Sequence, residues 1–182
     1  MKLFFKKNKK GRGEKGFTLV ETLVAISIFT VSILGLLSVL SKGISDTGYA
    51  KKKTVAGYLA QEGIEYIRNM RDTNALYTLP GGWNNFKTKI SSCTLANRCG
   101  FDVTLFPQNV FVCTTHSNQC KLYEQNGNYN TNSIGVDSGF VRTVYMETVS
   151  ADNIKIFSTV SWTQGSGQYD VTFSENLFNW TE

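Results

Sequence analysis

Few residues of this 182-residue chain are of types that do chemistry. Glu21 is a carboxylate inside an otherwise uncharged apolar run, residues 17–40, "FTLVETLVAISIFTVSILGLLSVL". A charge held in hydrocarbon costs roughly 2.5–3.5 kcal/mol on insertion scales, so an intramembrane Glu marks function by default. Taken alone, it could instead lie near the interface and snorkel to water beside Lys15. The second group is four cysteines, Cys93, Cys99, Cys113 and Cys120, with five and six residues between the members of each close pair. Those gaps are wider than the two to four of a zinc knuckle, and the single histidine, His116, complements them poorly. Oxidised thiols outside the cytoplasm fit better than metal ligands.

Nothing else is arranged for catalysis. There is one histidine, no glycine-rich phosphate loop after a strand and no carboxylate cluster with metal spacing. Glu62 and Glu65, three apart on a helix, read as a solvated face, and His116, in a Ser/Asn-rich loop, reads as a surface residue. No catalytic residue, cofactor or metal site is expected.

The elements that must position Glu21 come from charge and hydropathy. Of 19 basic residues, seven (Lys2, Lys6, Lys7, Lys9, Lys10, Arg12, Lys15) precede position 16, with Glu14 the one acid among them. The formal charge of +5 therefore belongs to a short arm, and 12 basic against 13 acidic residues from Phe17 onward leave about −1. A basic arm beside an apolar run reads as membrane topology rather than nucleic-acid binding. The 24 residues of the run, at 1.5 Å each, cover a hydrocarbon core of ~30 Å. Basic residues ahead of it stay cytoplasmic, so the remainder is exported. The run exceeds the 7–15 residues of a signal-peptide core and no small-x-small cleavage site cleanly follows it. A signal anchor would fit that, but would not account for Glu21 or for the Gly16-Phe17 junction.

The stretch "KGFTLVE", with its basic leader and the apolar helix behind it, resembles the N-terminus of type IV prepilins and of the pseudopilins of type II secretion systems. The resemblance spans about residues 10–45. It implies that a prepilin peptidase cuts after Gly16 and methylates the new amine of Phe17, and that Glu21 is the carboxylate of the mature helix, meeting a terminal amine within a filament. It also implies other pilin or pseudopilin subunits and an inner-membrane assembly platform as partners. The site is inner membrane first, with the N-terminus cytoplasmic, and pilus or pseudopilus afterwards. Cleavage would remove the orienting arm yet leave the helix embedded, so that the subunit is stored rather than released. Many major pilins carry a proline roughly where Ser38 stands. Its absence argues for a minor subunit. Gly35, Gly43 and Gly48 could loosen the helix instead.

Beyond the membrane run the pattern turns amphipathic over residues 44–70. Val55, Leu59, Tyr66 and Met70 share one side with Ala56, Ile64 and Ile67 beside it, and Lys52, Glu62 and Arg68 fall elsewhere. One helix over about residues 18–71 would measure about 80 Å. "LPGGWNN" then reads as a turn-rich break at residues 80–85, and strand-like segments follow. "NIKIFSTVSW" and "QYDVTFSENLF", separated by Gly165 to Gly167, read as an antiparallel hairpin, with Ile154, Ile156, Val160 and Trp162 on one face and Tyr169, Val171 and Phe173 on the other strand's matching face. "FVRTVYMETVS" would be its neighbour.

The apolar stripe of residues 55–70 can cover such a sheet, so the fold class is α+β. This order is similar to the pilin ladle, a long N-terminal helix packed on a small antiparallel head. The Val160-Ser161-Trp162 strand end with its short turn and last strand is similar to certain minor pilins and minor pseudopilins. The expected divisions are a leader 1–16, a transmembrane and filament-core helix 17–41, its amphipathic continuation 42–72 and a β-rich exported head 73–182. Of the three connectivities open to four cysteines, Cys93 with Cys99 and Cys113 with Cys120 is the expected one, the second stapling the polar tip "CTTHSNQC".

Two other functions compete. A DNA-uptake or adhesion pilin would bind through the head, with Lys51, Lys52 and Lys53 on phosphates and Trp83, Tyr129 and Trp162 stacking on bases. These residues are scattered, and the lysine run reads better as a solvated helix face. A signal-anchored extracellular domain unrelated to filaments would need neither cleavage after Gly16 nor Glu21.

Overall fold

The computed structural model describes residues 16–78, 80–104, 109–113 and 120–180. The leader ahead of Gly16, and His116 in its loop, lie outside the described residues. The chain divides into two compact units, Met1–Asp46 and Thr47–Glu182.

Helix α1 runs Leu19–Tyr77, six residues past the end expected from periodicity. The amphipathic stripe weakens after Met70, but polar groups carry the helix on. The buried Asn74 amide donates to the Met70 carbonyl at 2.7 Å and its side-chain oxygen accepts from Asn85 at 3.1 Å. The turn-rich break is shorter than expected for the same reason. Helix α2 begins at Gly82 and ends at Ile90. Trp83, Phe86 and Ile90 are all buried, a helical spacing hidden behind the Pro80-Gly81-Gly82 turn signal.

Seven strands follow among the described residues: β1 Cys99–Phe101, β2 Val110–Val112, β3 Lys121–Gln125, β4 Asn128–Asn130, β5 Val136–Ser150, β6 Asn153–Gln164 and β7 Gly167–Phe178. They make one antiparallel sheet. The long β5 pairs with β1 and β3 along one edge and with β6 along the other. β2 and β4 extend the first side, and β7 pairs with β6 alone. The β6–β7 hairpin closes on Gln164↔Gly167, leaving a two-residue turn whose first member, Gly165, has φ 59°, the positive value a type II′ turn requires there. Asn126 (φ 53°) and Gly127 (φ 81°) make the type I′ turn joining β3 to β4.

Even-numbered residues of β5 and β6 face inward. Ile154, Ile156, Val160 and Trp162 are each at most 4% exposed, on the face expected. Residues 56–75 of α1 cover this face, forming an α+β layout of helix on antiparallel sheet. One core cluster holds Ile67, Met70, Trp83, Phe86, Ile154 and Ile156, and a second holds Ala56, Leu59, Leu122, Phe140, Val160 and Trp162. On β7 the matching residues are less covered, with Tyr169 38% and Phe173 41% exposed, because no strand lies beyond them among the described residues.

Candidate processing and assembly site

Gly16, Phe17 and Thr18 precede the first turn of α1. Thr18 is its cap. The Thr18 hydroxyl oxygen accepts from the Glu21 N–H at 3.2 Å, and the Thr22 N–H donates to the Thr18 carbonyl at 3.1 Å as the first helical bond. Thr18-x-x-Glu21 has the spacing of a capping box, with the acid in the first turn where the helix N-terminus favours negative charge. This second role for Glu21 is readable from the spacing, and an account of it as a membrane carboxylate alone misses it.

Behind that turn the helix is uniformly apolar and exposed, with a mean hydropathy of 2.6 over its best 18-residue window. Its few hydroxyls satisfy themselves locally. Thr22, Ser27, Thr30 and Ser32 each donate to a carbonyl three or four residues earlier, at 2.6–2.9 Å. Every backbone and hydroxyl donor in the segment can thus be met inside the helix, as hydrocarbon demands. Glu21 is the one ionisable group among residues 17–40 that remains to find a partner.

In the head, Cys93 is bonded to Cys99 and Cys113 to Cys120. The first bridge ties the end of α2 to the start of β1 inside the core, with both cysteines at most 2% exposed. Trp83 and Trp162, proposed above as base-stacking residues, are 3% and 4% exposed and belong to the two core clusters. Tyr129 packs on Phe140. Among the lysines, Lys52 donates to the Thr163 carbonyl at 3.1 Å and Lys53 lies over the Tyr49 ring. These groups hold the sheet together and do not converge on a single surface.

Glu62 is also corrected. It does not simply face water, since its carboxylate accepts from Nη1 of Arg142, a β5 residue 2% exposed. Burial pulls the Arg142 guanidinium below its ordinary pKa and the Glu62 charge opposes this. The guanidinium also lies 3.9 Å over the Phe101 ring, which stacks on Tyr66. Glu65, three residues on, pairs with Arg68, which also reaches Glu175 of β7. The two carboxylates are structural ties from α1 into the sheet and to its own surface.

Comparison with known proteins bears on the N-terminal segment. Residues 11–37 match the family model described as the prokaryotic N-terminal methylation motif. This chain carries a prepilin-type methylation segment. That motif spans the Gly16-Phe17 junction, the Thr18 cap, Glu21 and most of the apolar run. Over 48 residues the chain is also 38% identical to "Type II secretion system protein I" of Escherichia coli. That alignment covers 26% of this chain and 39% of the relative, so it spans about two-fifths of the relative's length. No solved structure matches the chain significantly.

Proposed function

We propose that this protein is a structural subunit, a minor pilin or pseudopilin, that is processed after Gly16, N-methylated at Phe17 and assembled through its N-terminal helix. The observation that carries the reading is the methylation motif over residues 11–37 lying on a capped, membrane-length helix with one carboxylate. The match to a type II secretion protein favours a pseudopilin within that class. The subunit waits in the inner membrane with its N-terminus cytoplasmic and its head, residues 73–182, exported. It then moves into a filament by way of the prepilin peptidase and an inner-membrane assembly platform. Bridged cysteines agree with an oxidising compartment for the head.

Cleavage would create a positive amine at Phe17, about one helical turn from Glu21. In a filament, Glu21 would meet such an amine, offsetting the cost of its burial and fixing the axial register between helices. The role is structural rather than enzymatic, since the work is done by helix packing and one charge pair.

The test is intact mass and N-terminal sequencing of the chain from cells containing a prepilin peptidase. N-methylated Phe17 is the expected terminus, and a chain still starting at Met1 overturns the reading. Glu21→Ala should abolish incorporation into filaments while leaving the melting of the head unchanged.

A further inference from the structure

Strand β7 is twelve residues long, pairs with β6 alone and has an unbroken register from Gly167 to Phe178. Its turn closes on a hydrogen-bonded pair, Gln164↔Gly167, so the odd residues of β7 bond to β6 and the even ones turn their N–H and C=O outward. Residues 168, 170, 172, 174, 176 and 178 are all exposed. Sheets normally guard such an edge with lysine, proline, a bulge or a covering element. β7 has no lysine, proline or bulge, and of its two charged residues Glu175 is already tied to Arg68.

The edge specifies its own partner. Two copies of β7 laid antiparallel about a two-fold axis through Thr172 set Thr172 against Thr172, Asp170 against Ser174 and Gln168 against Asn176 on the outer face. On the inner face Val171 meets Phe173 twice, covering a ring that is 41% exposed. Each is a favourable cross-strand pair of its type, and no like charges meet. Faces match only when the register shifts by whole pairs of residues. Centring on residue 170 sets Asp170 against Asp170, and centring on 174 sets Phe173 against Glu175. We infer that β7 is a homotypic docking edge, through which two heads join their sheets into one, centred on Thr172.

The direction of the strand says where such a contact is used. Tyr49 of α1 packs on Tyr169 and Arg68 pairs with Glu175, so α1 runs along β7 in the same sense. Antiparallel β7 strands therefore set the two α1 segments of residues 49–77 in opposite directions. Neighbours in one filament, whose helices run the same way, cannot pair so, whereas heads on two different filaments can. The contact itself is independent of processing after Gly16, and only its placement between filaments rests on the function proposed above.

The experiment uses the full chain in detergent with single cysteines added. Across the dimer, residues 172 lie about 5.5 Å apart at Cα, within disulfide range, whereas residues 168 lie about 26 Å apart. Mild oxidation of Thr172→Cys should yield covalent dimer in roughly tenfold excess over Gln168→Cys. Ser174→Pro in the Thr172→Cys background should abolish the dimer by removing an outward N–H, and its unchanged circular dichroism would show that β6 still holds the strand. Equal yields at 172 and 168, no dimer at either, or a dimer indifferent to Ser174→Pro would overturn the inference.

Discussion

Arg142 of β5 and Glu62 of α1, 80 residues apart in the chain, form an ion pair in which the guanidinium is buried and the carboxylate is partly open to water. The arginine can be accommodated because the helix supplies its counter-charge and Phe101 its flat cover. Glu62→Ala should therefore destabilise the head by on the order of 3 kcal/mol, because it leaves a buried charge unpaired. Arg142→Met combined with Glu62→Gln should cost less than Glu62→Ala alone. Urea titration of the four corners of the cycle checks this.

Gly63 of α1 lies against Ser158 of β6. A Cβ on Gly63 would stand 2.2 Å from the Ser158 hydroxyl and 3.0 Å from its Cβ. Gly63→Ala should lower stability by about 1–3 kcal/mol through overpacking, although alanine is the better helix former. Adding Ser158→Gly should recover part of the loss in a thermal melt.

Tyr66 donates its hydroxyl proton to the Asn109 carbonyl at 3.0 Å and accepts from the Asn109 N–H at 2.9 Å. Burial raises its pKa above the ordinary 10.0, while the Asn109 N–H acts in the opposite sense and the Asp102 charge adds to the rise. A raised folded-state pKa means the native protein holds the proton more tightly. This stabilising contribution is full below pH 10 and is lost as pH rises through the folded value. Tyr66→Phe should lower stability at neutral pH by about 1–2 kcal/mol and flatten the decline above pH 10. Melting curves across pH 7–11 measure both effects.

The two disulfides should differ in weight. Each closes a short loop, worth about 2 kcal/mol in the chain-entropy account. Cys93 and Cys99 also lie in the core with Ile67, Ile90 and Val144, whereas Cys113 is half-buried. Replacing Cys93 and Cys99 by alanine should therefore lower the melting temperature more than replacing Cys113 and Cys120. Calorimetry of the two double variants decides it.

The residue sequence by itself determined those features whose physics is local or periodic. Basic arm, glycine junction, carboxylate and apolar length lie within about forty consecutive residues, and a membrane span needs no partner to be recognised. Alternation likewise fixed the inward face of β6, and the flanking glycines its turn to β7. Local signals also hid things. Pro80-Gly81-Gly82 masked the start of α2, and Asn126-Gly127 announces the β3–β4 turn only to a reader looking for φ above zero.

Tertiary structure alone decided what depends on chain closure. It paired β5 with β1, β3 and β6, brought Glu62 to Arg142 and Gly63 to Ser158, placed Trp83 and Trp162 in the core, and left β7 at the edge. These contacts join residues tens of positions apart. Their energies exist only after the loops between them have closed, and no spacing within one segment records them.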